Sequence, residues 1–303
     1  MFDPATLQAI YKEIAPHTAT LTTPDHWCLT GNGPWGPVIE LGDGTMLKLV
    51  HRHGELGNGE ALHHREIEAL TLLDGLTTDY VRVPRLVAAQ ALTNDYIGSA
   101  PPLAGWLRLE ALPGRRLSTD KVLAMPARSR ELLGERIGAA IADFSSTATK
   151  RAEAAGTKLA DTITRSLSLA RVQLSSAELH CAADAIAQAW QARRAQGPLV
   201  FVHGDINPDN LVDDGENKPL GLVDFGESGW SLAETEFRHF EALGALRDMV
   251  FRGLTARRGH GLDLQSYYLA AAADALMTIA MKGNGGHPRD QMRRSGLLQH
   301  CLA

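Results

Sequence analysis

The run FVHGDINPDNLV, residues 201–212, gathers His203, Asp205, Asp209 and Asn210 directly behind a short apolar stretch. Leu199 to Val202 has the pattern of a buried strand, so Asp205 falls where a strand gives way to a loop. Asn210 follows on the same loop, and Asp224 ends a second apolar run in Val223-Asp224-Phe225-Gly226. A carboxylate and an amide oxygen at two strand ends suit a hard cation such as Mg²⁺, which takes oxygen ligands. A further carboxylate beside them can orient a hydroxyl for attack on a phosphoryl group. Taken singly, Asp and Asn in such places more often cap turns. The ordered set Asp205, Asn210 and Asp224-Phe225-Gly226 favours chemistry over turn capping.

The elements that must position these residues follow from periodicity. Leu7, Ile10, Tyr11 and Ile14 recur at helical spacing. WCLTG, PVIELGDG and TMLKLV read as three strands, the last two joined in a hairpin by Gly42-Asp43-Gly44. His63 to Leu76 reads as a helix with Ile67, Leu70, Leu73 and Leu76 on one face, and VRVPRLVAAQ and GWLRLEAL as two further strands. Leu112-Pro113-Gly114 interrupts this pattern. Beyond it the chain is mostly helical, over 128–145, 158–172, 176–194 and several segments from Leu232 onward. PLVFVHGD, NLVDD and LGLVDF are its strand-like pieces. The plan is a sheet-rich lobe over residues 1–112 and a larger helical lobe over 113–303.

HGDINPDN resembles the catalytic loop of the aminoglycoside phosphotransferase and choline kinase superfamily, and VDFG resembles its metal-binding segment. The likeness covers most of the chain, in lobe order, break and helical second half. It implies a two-lobed, protein-kinase-like α+β fold, with a small antiparallel-sheet N-terminal lobe and a larger helical C-terminal lobe. It also implies Asp205 as catalytic base, Asn210 and Asp224 as metal ligands, and His203 and Gly204 as shapers of the loop. The cofactors implied are ATP (or GTP) with Mg²⁺, and the partner a small hydroxylated acceptor held by the helical lobe. Two departures stand out. Phe144-Ser145 replaces the Leu-His that closes a helix in this family, and Ser231-Leu232-Ala233 replaces its Gly-Asp-Pro, although Glu236 falls where an acidic residue is usual.

Phosphoryl transfer also needs a cation on the nucleotide phosphates, commonly a strand lysine held by a helix glutamate. Lys48 lies in the strand pattern Met46 to Val50, and Glu66 on the following helix is the preferred partner, with Glu60 and Glu68 as alternatives. Lysines also occur in strands simply to blunt an edge. The run GNGPWGPV, with Gly31, Gly33 and Gly36, fits the glycine loop of a kinase. A dinucleotide site would instead require a helix opening at the last glycine. Here Pro37 to Leu41 continues as a strand. Pro34 and Pro37 each lack an amide donor, so the loop's location carries more weight than any single glycine. The strand ending at Glu110-Ala111-Leu112 is expected to offer the backbone of Glu110 and Leu112 to the adenine. Trp35 is a candidate cover for the nucleotide, and Trp230 a candidate for either the acceptor pocket or the core.

A net charge of −5 argues against nucleic acid as the main partner. Three separated cysteines, Cys28, Cys181 and Cys301, suggest neither a disulfide framework nor a zinc site, which fits a reducing cytoplasm. The N-terminus lacks the pattern of a signal peptide. The apolar run Tyr267 to Met281 is too short to span a bilayer and carries Asp274 in its middle. His51, His53, His63 and His64 are expected on a solvated loop and helix start, and the pairs Arg257-Arg258 and Arg293-Arg294 on solvated faces or in salt bridges. Two rivals remain. A protein kinase is disfavoured by Gly204 where that family has arginine and by the lack of an Ala-Pro-Glu segment. A pseudokinase is disfavoured because the residues that chemistry needs are present.

Overall fold

Gly42 and Gly44, both at positive φ, close the hairpin expected between TMLKLV and the strand before it. The structure is a computed structural model that describes residues 4–18, 21–33, 35–54, 57–92, 102–174 and 177–282. The chain divides into two compact units, Met1–Leu76 with Val83–Leu112, and Thr77–Arg82 with Pro113–Ala303. The fold is the two-lobed, kinase-like α+β arrangement.

The first unit opens with α1 (Pro4–Ile14) and β1 (Cys28–Gly33), β2 (Gly36–Glu40) and β3 (Thr45–His51). The short pair β4 (His53–Gly54) and β5 (Gly57–Asn58) leads into α2 (Gly59–Leu73), whose N-cap Asn58 accepts the Glu60 N–H. β6 (Val81–Arg82) belongs to the other unit, and β7 (Leu86–Ala91) and β8 (Leu103–Glu110) complete an antiparallel sheet in the order β1-β2-β3-β8-β7. Alternation decides the site. Leu47 and Leu49 join Ile10, Ile14, Ile39 and Trp106 in one core cluster. Lys48, between them, must therefore point to the opposite face of the sheet. The buried face of α2 differs from the one its leucines suggest. It contains His63 and Glu66 as well as Leu62, Leu70 and Leu73, whereas Ile67 is only partly buried.

In the second unit, β9 (Arg115–Arg116) and α3 (Thr119–Ala124) precede the long α4 (Ala127–Ala155), then α5 (Thr162–Gln173) and α6 (Ala177–Gln196). The expected start of α5 near Lys158 moves to Thr162 because Asp161 caps it, accepting the Thr164 N–H at 2.9 Å. β10 (Val200–Val202), β11 (Leu211–Asp213), β12 (Leu220–Leu222) and β13 (Gly229–Ser231) form the small sheets. β10 pairs with β13, and the other sheet runs β6-β12-β11-β9. Val81 and Arg82 pair in parallel with Leu220 and Gly221, which is why Thr77–Arg82 groups with this unit. A 3-10 stretch, Ala233–Leu243, leads to α7 (Ala245–Arg258) and α8 (Leu264–Lys282). Ile163, Leu167, Ile186, Trp190, Leu269 and Leu276 bind α5, α6 and α8 into a core.

Candidate active site

β10 delivers the chain into the loop at Gly204, whose φ of 82° is open to glycine and strained for other residues. A Cβ there would stand 2.4 Å from the Glu227 carbonyl oxygen. His203 is fully buried against Phe225, ring centroids 4.5 Å apart, with Phe144 packing on both. The Asp205 N–H donates to His203 Nδ1 at 3.2 Å, which leaves Nε2 to donate to the Val223 carbonyl at 3.1 Å. His203 thus fastens the Asp205 loop to the segment that ends in Asp224. The Val223 N–H in turn donates to the Asn210 carbonyl at 3.1 Å.

The Asp205 carboxylate is held from several sides. Asn210 Nδ2 donates to Oδ2 at 2.8 Å and to the Asp205 backbone oxygen at 2.9 Å. Asn207 Nδ2 donates to Oδ1 at 3.2 Å. His239 Nε2 stands 2.9 Å from Oδ1, off the line of a good hydrogen bond, so the contact is an ion pair. Burial alone would raise the Asp205 carboxyl, but His239, with Arg238 adding charge, holds it at about 2. Asp209 serves the loop's shape, since Thr119 Oγ1 donates to its Oδ2 at 2.7 Å and pins it in place.

With its amide N–H groups on Asp205, Asn210 keeps its side-chain carbonyl oxygen as the group able to meet a cation. Asp224 sits at φ 72°, a left-handed conformation uncommon for a residue with a side chain. Among the described residues no cluster of three or more His, Cys, Asp or Glu is arranged to hold a metal. Two oxygen donors fit Mg²⁺, which keeps waters and takes phosphate oxygens for its remaining positions.

In the first unit, Lys48 Nζ donates to Glu66 Oε1 at 2.9 Å and Oε2 at 2.7 Å. Glu60 instead pairs with Arg52 at 3.3 Å. The glycine-rich run forms the β1–β2 hairpin, with Gly33 opposite Gly36. At Gly36, φ 135°, a Cβ would meet the Leu49 carbonyl oxygen at 2.2 Å, so only glycine lets the hairpin lie this close to β3. Pro34 lies outside the described residues. Trp35 is nearly buried, and its carbonyl accepts the His51 N–H at 2.7 Å. The Glu110 N–H donates to Arg85 and the Ala111 N–H to Gly44. Leu112 lies past the last β3–β8 rung, Thr45 to Glu110. The histidines are not uniformly solvated. His53 and His64 are exposed, but His63 is buried and its Nε2 donates to the Trp106 carbonyl at 3.1 Å. Sheet packing over α2 takes it out of water.

A family model described as the phosphotransferase enzyme family matches residues 35–273. The chain belongs to this family. Among solved structures it is similar to the GDP and kanamycin complex of APH(2")-IIIa, with TM-score 0.64, 18% identity and 97% of each chain covered. It also resembles the streptomycin–ATP–APH(2")-IIa ternary complex, with TM-score 0.58, 13% identity, and 99% of this chain and 97% of that one covered. A third similar structure is the macrolide 2'-phosphotransferase MphH of Brachybacterium faecium, with TM-score 0.58, 14% identity, and 96% and 98% covered. Identities this low speak for the fold. Among curated protein sequences none matches significantly.

The departures from the phosphotransferase pattern now have places. Phe144 is a fully buried prop for His203 and Phe225. Glu236 is fully buried and accepts the N–H groups of His203 at 2.6 Å and Gly204 at 2.9 Å, bracing the loop from beneath. Burial pushes its carboxyl up to about 7 against those two bonds. Trp230 is a packing residue: Nε1 donates to Thr157, and its ring meets Phe201 edge-on. Arg257 pairs with Asp143 and lies over the Tyr80 ring. Arg293 and Arg294 lie outside the described residues. His239 escaped the sequence reading, and the clue to its neighbourhood was Asp274, a carboxylate in the middle of an apolar helix. No helix among the described residues is long and apolar enough to cross a membrane.

Proposed function

We propose that this phosphotransferase is a small-molecule kinase moving the γ-phosphoryl group of ATP, or GTP, to a hydroxyl of an acceptor of low positive charge. The observation that carries the reading is the ionised Asp205, clamped by Asn207, Asn210 and His239. A carboxyl near 2 is a weak base, so its main work is to accept the acceptor's O–H and aim the oxygen. A loose phosphoryl-transfer transition state asks for little proton removal beforehand. Asn210 and Asp224 would hold Mg²⁺. When bound, the ion neutralises charge on the phosphate oxygens. Lys48, oriented by Glu66, supplies a cation for the nucleotide phosphates, and Gly31, Gly33 and Gly36 let the hairpin backbone approach them. The Glu110 carbonyl and Leu112 N–H take the base.

The carboxylates beyond Asp224 that lie among the described residues support this charge class. Glu227 pairs with Arg165, Glu241 and Asp248 with Arg247, and Asp263 with Arg193. Glu234 accepts the Asp263 N–H, Glu236 holds the loop backbone, and Asp274 pairs with His239 and Arg238. Each ammonium of a polycation must be paired as it leaves water, and these carboxylates already have partners. A screen of hydroxylated compounds by nucleotide consumption, with phosphorylated product confirmed by mass spectrometry, is expected to find neutral or weakly charged acceptors. A kcat/KM above about 10⁴ M⁻¹s⁻¹ on kanamycin would overturn the charge class. Nucleotide binding without transfer to any acceptor would overturn the kinase itself.

A further inference from the structure

Three elements meet at one imidazole. His239 comes from the 3-10 stretch, Asp274 from α8, and Asp205 from the loop after β10. His239 Nδ1 lies 3.3 Å from Asp274 Oδ1, and Nε2 lies 2.9 Å from Asp205 Oδ1. We propose that His239 is a positioning residue for phosphoryl transfer, fixed by Asp274 at one nitrogen so that the other holds the Asp205 carboxylate in the orientation that meets the acceptor hydroxyl. The proposal rests on the reading of Asp205 as the hydroxyl-orienting group.

The geometry distinguishes the two Asp205 oxygens. Oδ2 is fixed by Asn210 at 2.8 Å, whereas Oδ1 otherwise has the longer 3.2 Å contact from Asn207. His239 is therefore the closer restraint on Oδ1. A rigid ring paired with a carboxylate on each side couples the position of Asp274, on a packed helix, to a loop carboxylate, as carboxylate–histidine pairs do for metal ligands. The ring's charge suits this role. Burial opposes it, but Asp274 and Asp205 overcome burial and the nearby Arg238, raising His239 to about 9. The charged groups at the ring are Asp205, Asp274 and Arg238; His203 and Glu236 act one step away, on Asp205. The same triad could serve only to neutralise charge in the core, and the experiment separates the two.

His239→Gln, Asp274→Asn and Asp205→Asn would be compared on an acceptor from the screen, alongside ¹⁵N NMR titration of the labelled imidazole in the nucleotide-free protein. His239→Gln should lower kcat about 10- to 100-fold, the scale of a small misplacement of a reacting group, with nucleotide KM within about twofold. The wild-type rate should fall as the ring loses its proton near pH 9, and Asp274→Asn should move that fall to lower pH. NMR should show a charged ring at neutral pH, with its midpoint lowered in both aspartate variants. Should His239→Gln not fold, Asp274→Asn and the titration still decide. Inactive Asp205→Asn beside fully active His239→Gln overturns this proposal alone, as does a ring midpoint unmoved in both aspartate variants. Fully active Asp205→Asn overturns the reading of the site as well.

Discussion

Glu66→Gln tests the N-terminal lobe most sharply, because it keeps the shape of the side chain and removes only its charge. Lys48 Nζ lies 2.7 Å from Glu66 Oε2, with side chains 9% and 1% exposed. At an effective dielectric near 20, the attraction across that distance is about 6 kcal/mol, much of it offset by the cost of taking both charges out of water. Removing one charge takes from the other the counter-charge it is buried against, a loss of about 3–5 kcal/mol. Against a domain stability of about 5–15 kcal/mol, urea unfolding should show that loss plainly. Lys48→Met with Glu66→Leu replaces the pair by apolar groups and should recover most of it, so that the double variant loses far less than the sum of the two single variants. In turnover, Lys48→Met should reduce kcat more than it raises nucleotide KM, since the charge matters most as the phosphoryl group departs. A Glu66→Gln loss below about 1 kcal/mol, or additivity in the double variant, would refute the reasoning.

Asp205→Ala should lower kcat by about 10²–10⁴-fold while nucleotide affinity by calorimetry stays close to wild type; a variant keeping more than about a tenth of kcat contradicts its role. Asp224→Ala should weaken Mg²⁺–nucleotide binding as well as the rate, partly rescued by excess Mg²⁺, and unchanged calorimetric binding would remove it from the metal site. Gly204→Ala must place a methyl 2.4 Å from the Glu227 oxygen at φ 82° and should cost about 1–3 kcal/mol, read as a drop in Tm. Glu236, raised from 4.5 to about 7, binds its proton more tightly when folded. Its contribution is therefore present below pH 4.5 and is lost as pH rises toward 7, about 3 kcal/mol in all. Glu236→Gln should flatten that slope in urea titrations at several pH values, and an unchanged slope would exclude Glu236 as its source.

The order Asp205, Asn210, Asp224 was legible because each residue is marked by an adjoining apolar strand, a purely local pattern. The β2–β3 hairpin was legible for the same reason: Gly42 and Gly44 supply the positive φ the turn needs. Lys48 stood out because a charge interrupted a strand, and alternation then set its face. The split of VRVPRLVAAQ into β6 and β7 was not legible, nor were the short strands β9 and β13. Each is two or three residues long and exists only through a distant partner, as Gly229–Ser231 does through Val200–Val202. His63 and Glu66 were placed by the sheet that covers α2, which the helix's own leucine pattern does not reveal.

By itself the sequence determined the local elements, the residue types able to do phosphoryl chemistry and the lobe each belongs to, since strand ends, turns and periodicity are short-range properties. Tertiary structure alone decided which charges meet. Asp205, His239 and Asp274 lie far apart along the chain and come together only when the 3-10 stretch and α8 pack on the loop after β10. Partial burial there reduces the water that screens them, so the packing sets both the partners and the charge of the site.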